Sequence, residues 1–184
     1  MRNYRYRRFD PSDAPSVCGC VRSRERLQRI SGDCGDSLTP DILHRWSSDA
    51  RAAIVVHLVH DQTAAGFCTL SRQEVAGLPD AAIEICHFVV SPAWQFRGLG
   101  SFLFYSARAL AWHLGYRSLL GRIVPSNLPA LTLATSLSGQ EIAANEMSLP
   151  SSFRWFRWSL TSDCLRWEFY HATCAERSQG DRFV

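Results

Sequence analysis

The 184-residue chain is predicted to fold as an α+β domain of about seven strands and about four helices. Three observations predict this. Short apolar runs, several alternating with period two, recur between Tyr4 and His171. Capped, glycine-stopped amphipathic segments lie between them, and one apolar run passes into a helix through a glycine-rich turn. With 46% hydrophobic residues, the chain suits a single domain with a core of ordinary size. That domain is assigned to residues 1–171, and the polar stretch 172–184 reads as a tail.

Residues 4–9 alternate aromatic and basic side chains, as a half-buried strand does. Asp10-Pro11-Ser12-Asp13 then offers a cap and an early proline for a helix reaching toward Ile30, and residues 31–38 form a Gly/Asp/Ser loop. Thr39 is a favourable cap and Pro40 sacrifices no hydrogen bond in a first turn, so a second helix is expected to run to Asp49. Segments 52–61 and 64–74 read as antiparallel strands joined by a short turn. A fourth strand, 82–90, ends at Pro92. The helix beginning near Gly98 places Leu99, Leu103, Ala107, Leu110 and Leu114 on one stripe and stops at Gly115. Residues 117–124 make the fifth strand; Pro129 sits in the first turn of a fourth helix that Gly139 closes. Segments 153–160 and 165–171 supply the last two strands.

The turn after the fourth strand carries the chemistry. Gln95, Gly98 and Gly100 form a Q-x-x-G-x-G pattern at a helix start. Backbone N–H groups approach an anion closely where no Cβ intervenes, and a first helical turn leaves such groups unpaired at the positive end of its dipole. A phosphate is the expected ligand. A Walker-type loop is excluded because it needs a lysine, and all 20 basic residues are arginine. A dinucleotide fingerprint needs a small residue where Leu103 stands.

With Val90 and Pro92 ahead of Gln95, Gly98 and Gly100, and Ser101 behind them, this segment resembles the central motif of the GNAT superfamily, V-x-P-x-x-[QR]-x-x-G-x-[GA]. The order of strands and helices over residues 4–171 is similar to that of the GNAT fold. The resemblance implies a mixed central sheet and an N-acyltransferase that uses acetyl-CoA, with direct attack by an amine in a ternary complex. It also implies a bulge that splays the fourth strand from the fifth. The pantetheine arm would lie against main-chain groups of Phe88, Val89 and Val90. The pyrophosphate would sit on the amides of Phe96, Arg97, Gly98, Leu99, Gly100 and Ser101, with the Arg97 side chain within reach of a phosphate oxygen. Asn127 would hold coenzyme A as well.

An alkylammonium titrates near ~10, so a base must take a proton as the amine attacks. Glu84 stands 11 residues before Gln95, where the histone-acetylating branch of the family carries its base. Set among Ile83, Ile85 and Cys86, it is expected to be partly desolvated with a raised pKa. His87 is the second candidate, on the other strand face by simple alternation. The family pattern N-x-x-A-x-x-x-Y continues here as Asn127, Ala130 and Ala134, so the tyrosine that would protonate the leaving thiolate is absent. Thr135 and Ser136 are the substitutes within reach. The loss also opens a second reading, a coenzyme A-binding module without turnover.

The acceptor is expected to be a small-molecule or peptide amine. Asp33, Asp36 and Asp41 would favour a cationic one, unless they only make turns and caps. A net charge of +3 without a domain-wide basic stripe argues against a nucleic-acid partner, despite the arginine-aromatic runs RNYRYRR and FRWFRW. No apolar run nears the ~20 residues of a membrane span. The basic N-terminus leads into Asp10 and Pro11, not into the apolar run of a secretory signal. Seven scattered cysteines suit reduced thiols and a cytoplasmic location. Cys18 with Cys20, and His57 with His60, lack metal-site spacing, so no metal is expected. A homodimer is left open.

Overall fold

Pairing of the strands fixes where the site can be. The computed structural model describes residues 4–31, 35–58, 63–73, 82–143 and 152–163. The strands are β1 (Tyr4–Arg8), β2 (Ala52–Leu58), β3 (Ala64–Gln73), β4 (Ala82–Val90), β5 (Ser118–Ile123), β6 (Gln140–Ile142) and β7 (Arg154–Ser159). They form a mixed sheet in the order β1-β2-β3-β4-β5-β7-β6. Every neighbouring pair is antiparallel except β4 and β5, which run parallel. Parallel neighbours need a crossover connection, and helix α4 (Leu99–His113) supplies it.

Helices cover both faces. On one, α4 and α5 (Leu128–Ser136) pack Leu99, Leu103, Ala107, Leu131 and Ala134 against Ile83, Ile85 and Leu119 of the sheet. On the other, α1 (Ala14–Cys18), α2 (Arg24–Ser31) and α3 (Pro40–Asp49) bury Val17, Leu27, Leu43 and Trp46 beside Val55, Phe67 and Val89. Each fully buried Leu, Val or Phe contributes about 1.5–3 kcal/mol, so the two clusters hold the layers together. The stripe on α4 continues through Ala111, while Leu110 and Leu114 are only partly buried.

Local signals account for most boundaries. Thr39 Oγ1 accepts from Ile42 N at 3.3 Å, with Pro40 in the first turn of α3. The first helix departs from expectation. A single 3-10 turn at Pro11–Asp13 and the short α1 come first, and α2 starts anew at Arg24. Gly19 ends α1, and Ser23 Oγ accepts from Arg26 N at 3.4 Å to restart the helix. Strand β6 was not expected, because three residues are too few to show a period. The anticipated strand 165–171 and the tail lie outside the described residues.

Candidate active site

Strand β4 opens the sheet. It pairs with β5 only from Ala82 opposite Ser118 to Ile85 opposite Gly121, and residues beyond Ile85 have no rung to β5. On its other side the β3 register shifts, because Thr69 faces Cys86 while Phe67 faces Val89. Two β4 residues, His87 and Phe88, therefore oppose Cys68 alone. His87 has φ 51°, the backbone state that a bulge of this kind demands of one residue. The bulge also corrects the expected facing. Ser71 opposes Glu84, Thr69 lies two residues from Ser71 on the same face, and Thr69 Oγ1 is 2.8 Å from His87 Nδ1. Both candidate bases thus emerge on the α1–α3 side.

A cavity passes through the gap. Cys86, His87 and Phe88 line it from β4, and Gly121, Arg122 and Ile123 from β5. Arg29 and Ile30 of α2 close one end; Asn127, Leu133 and Ala134, the first of them capping α5, line the other. The His87 imidazole stacks on Trp46 with ring centroids 4.0 Å apart, so its plane is set by α3. Glu84 does not line the cavity. It is 0% exposed, and its Oε1 lies 2.9 Å from Arg122 Nε. Asp36 and Asp41 are not among the lining residues, and Asp33 is outside the described ones; among the described residues the charged lining side chains are Arg29 and Arg122.

Cys86 is the one thiol in the cavity wall among the described residues. Burial, and secondly the charge of Glu84, push its thiol well above the usual range. A neutral thiol is a poor nucleophile. Iodoacetamide is therefore expected to leave Cys86 unmodified in the native protein, and intact-mass spectrometry after incubation with acetyl-CoA should find no acylated enzyme.

The turn between β4 and α4 is held by its own geometry. Gly98 caps α4 with φ 82°, and Phe96, 92% exposed, has φ 57°. Among the described residues no backbone amide from Phe96 to Ser101 donates to a protein carbonyl; the first that does is Phe102, to Gly98 O at 3.0 Å. Gly100 permits close packing, since a Cβ there would stand 3.2 Å from Leu133 Cδ2. The side chains behave differently from the amides. Gln95 Nε2 turns back to Val90 O at 3.4 Å, and the Arg97 guanidinium rests 5.4 Å from the centre of the Trp94 ring. Val90 O also accepts from Arg26 Nη2 of α2.

The α4–α5 side of the cavity is floored by an indole. Trp158 of β7 lines it, with Nε1 donating to Leu137 O at 3.1 Å. A Cβ on Gly121 would approach Trp158 to 3.1 Å, and one on Gly139 to 2.8 Å, so two glycines make its room. Ala134 adds no bulk nearby. Asn127 caps α5 by accepting from Ala130 N at 3.4 Å. Thr135 and Ser136 donate to Leu131 O and Leu133 O of their own helix, at 3.0 and 2.8 Å, and do not line the cavity. Neither takes the place of the missing tyrosine.

A parallel pair splayed beside a bulge, with amides at the following helix start that donate to no carbonyl among the described residues, is a geometry suited to a phosphate-bearing ligand. The acetyltransferase (GNAT) family model matches residues 22–139, and the chain belongs to that family. It is an acyl-CoA-dependent acetyltransferase with acetyl-CoA as donor. The fold is similar to the GNAT domain of S. lividans PAT, with 19% identity and a TM-score of 0.70 over 85% of this chain and 90% of that one. It is also similar to yncA from Salmonella typhimurium, solved with its cofactor acetyl-CoA (16% identity, TM-score 0.65, 87% and 95% covered). Ard1 from Thermoplasma volcanium aligns at 17% identity and a TM-score of 0.63, over 87% and 99%. No curated protein matches the chain in sequence. Among the described residues no helix is long and apolar enough to cross a membrane, and no group of His, Cys, Asp and Glu could hold a metal ion.

Proposed function

We propose that the protein transfers an acetyl group from acetyl-CoA to a primary amine by direct attack, with His87 as the general base. The supporting observation is the gap itself, since it sets His87 in the wall of a cavity whose far side carries Leu133, the side chain that Gly100 of the turn packs against. Fit to the donor rests on the unspent amides of residues 96–101 and on the unpaired stretch of β4. The amides of Phe96, Arg97, Gly98, Leu99, Gly100 and Ser101 would take the diphosphate, and main-chain groups of Phe88, Val89 and Val90 the pantetheine arm. For that, Arg26 yields Val90 O. Asn127, which lines the cavity, would hold the same cofactor through Nδ2. When bound, acetyl-CoA supplies the activated thioester.

Thr69 Oγ1 fixes the His87 ring through Nδ1, and Trp46 fixes its plane. In this reading Nε2 takes the amine proton, whereas Glu84 is enclosed and paired with Arg122. Glu84 is the second reading for the base, favoured by its place on β4. A neutral thiol titrates near ~8.5, so a thiolate can depart without a dedicated acid. The free, scattered cysteines Cys18, Cys20, Cys68 and Cys86 go with a reducing, cytoplasmic setting.

The test has two arms. Calorimetry should show acetyl-CoA binding that Gly98→Val weakens, because a side chain at φ 82° strains the turn by about 1–3 kcal/mol. Thiol release should follow on adding amines from a panel of amino acids, peptides, polyamines and aminoglycosides. Binding without release from any of them would leave a coenzyme A-binding module and remove the proposed transfer.

A further inference from the structure

Glu84 and Arg122 form the most sharply polarised feature of the cavity. The carboxylate is wholly enclosed, while Arg122 is 40% exposed and lines the opening. The pair is thus a dipole with its positive end aimed at the space where an acceptor would sit. Arg122 Nε stands 2.9 Å from Glu84 Oε1. The Nη1–Nη2 edge has no carboxylate partner among the described residues, and the guanidinium lies 5.5 Å from the centre of the Phe153 ring. A guanidinium tied by charge to an enclosed carboxylate and flanked by an aromatic ring cannot easily swing away. Its remaining edge matches the two oxygens of a carboxylate in a bidentate pair. Among the described residues no acidic side chain lines the cavity to compete for it.

We infer that Arg122, oriented by the buried carboxylate of Glu84, receives a carboxylate on the acceptor, so that the substrates are amines that also carry an acid group, as amino acids do. This rests on the acetyl-transfer reading above and specifies its substrate class. It replaces the cationic acceptor expected from Asp33, Asp36 and Asp41. Glu84 becomes a positioning residue, acting on the substrate through Arg122.

The experiment compares matched amines, phenylalanine against phenethylamine and glutamate against its diamide, by thiol release with acetyl-CoA. In parallel, calorimetry measures binding of each amine to the protein loaded with coenzyme A. The acid-bearing member should be favoured roughly 10- to 100-fold in kcat/KM and in affinity, the worth of a charged hydrogen-bonded pair. Arg122→Gln should reduce the preference to about parity, and Arg122→Lys should restore part of it. Glu84→Gln should raise KM and weaken calorimetric binding of the acid-bearing amine more than it lowers kcat. Equal use of both members by the native protein would overturn the inference and leave acetyl transfer standing. So would an unchanged preference in Arg122→Gln. If Glu84→Gln lowers kcat alone, Glu84 is the base and its positioning role falls. Should no amine release thiol while acetyl-CoA binds, the activity itself is lost, and calorimetry alone decides the role of Arg122.

Discussion

Replacing His87 by Asn is expected to lower kcat about 100- to 10,000-fold, the range that a positioned general base supplies, while acetyl-CoA affinity stays unchanged. Asn is chosen because the position has φ 51°, and Asn tolerates the left-handed region better than most side chains. The bulge then persists, and only proton acceptance is removed. Stopped-flow or steady-state thiol release would measure the rate, and calorimetry the cofactor. Rates within a few-fold of the native enzyme would transfer the base role to Glu84. A joint loss of rate and cofactor binding would show that the bulge had collapsed, and His87→Gly, which accepts the same φ, would then separate backbone from imidazole.

Trp158→Ala is expected to cost about 3–5 kcal/mol of stability, the usual toll for emptying a large aromatic site. Trp158 is only 6% exposed and packs edge-on to Phe104 at 4.8 Å between centroids. Two glycines, Gly121 and Gly139, are shaped around it, so neighbours have little bulk with which to refill the space. Loss of the indole also leaves the Leu137 carbonyl without its 3.1 Å donor. A urea titration reads the effect, and a midpoint within error of the native protein would mean that the cavity floor is built from something else. Because Trp158 lines the cavity, the same variant should accept longer acyl groups on the donor.

The sequence disclosed the parts of the site that depend on near neighbours. Gln95, Gly98 and Gly100 announced the turn into α4 because a strand, a proline and a helix start sit within one stretch of chain. Thr39 and Pro40 did the same for α3. What stayed hidden depends on register. Arg122 is 38 residues from Glu84 along the chain. They meet only because Glu84 pairs with Leu120 across parallel strands, which sets Arg122 next on the same face. The facing of His87 was misjudged for a related reason. Alternation assumes one residue per step, and a bulge inserts an extra one, reversing the sides from that point on. A histidine at positive φ gives no mark in the sequence. That Trp158 would floor the cavity required the approach of Gly139, which comes from a different element.

Among the described residues four rungs join β4 to β5, and past them the sheet is a doorway with two thresholds. In the proposed complex, an amine arriving past Arg29 and Ile30 of α2 would not cross the path of a nucleotide seated at the start of α4, so each ligand would have its own route.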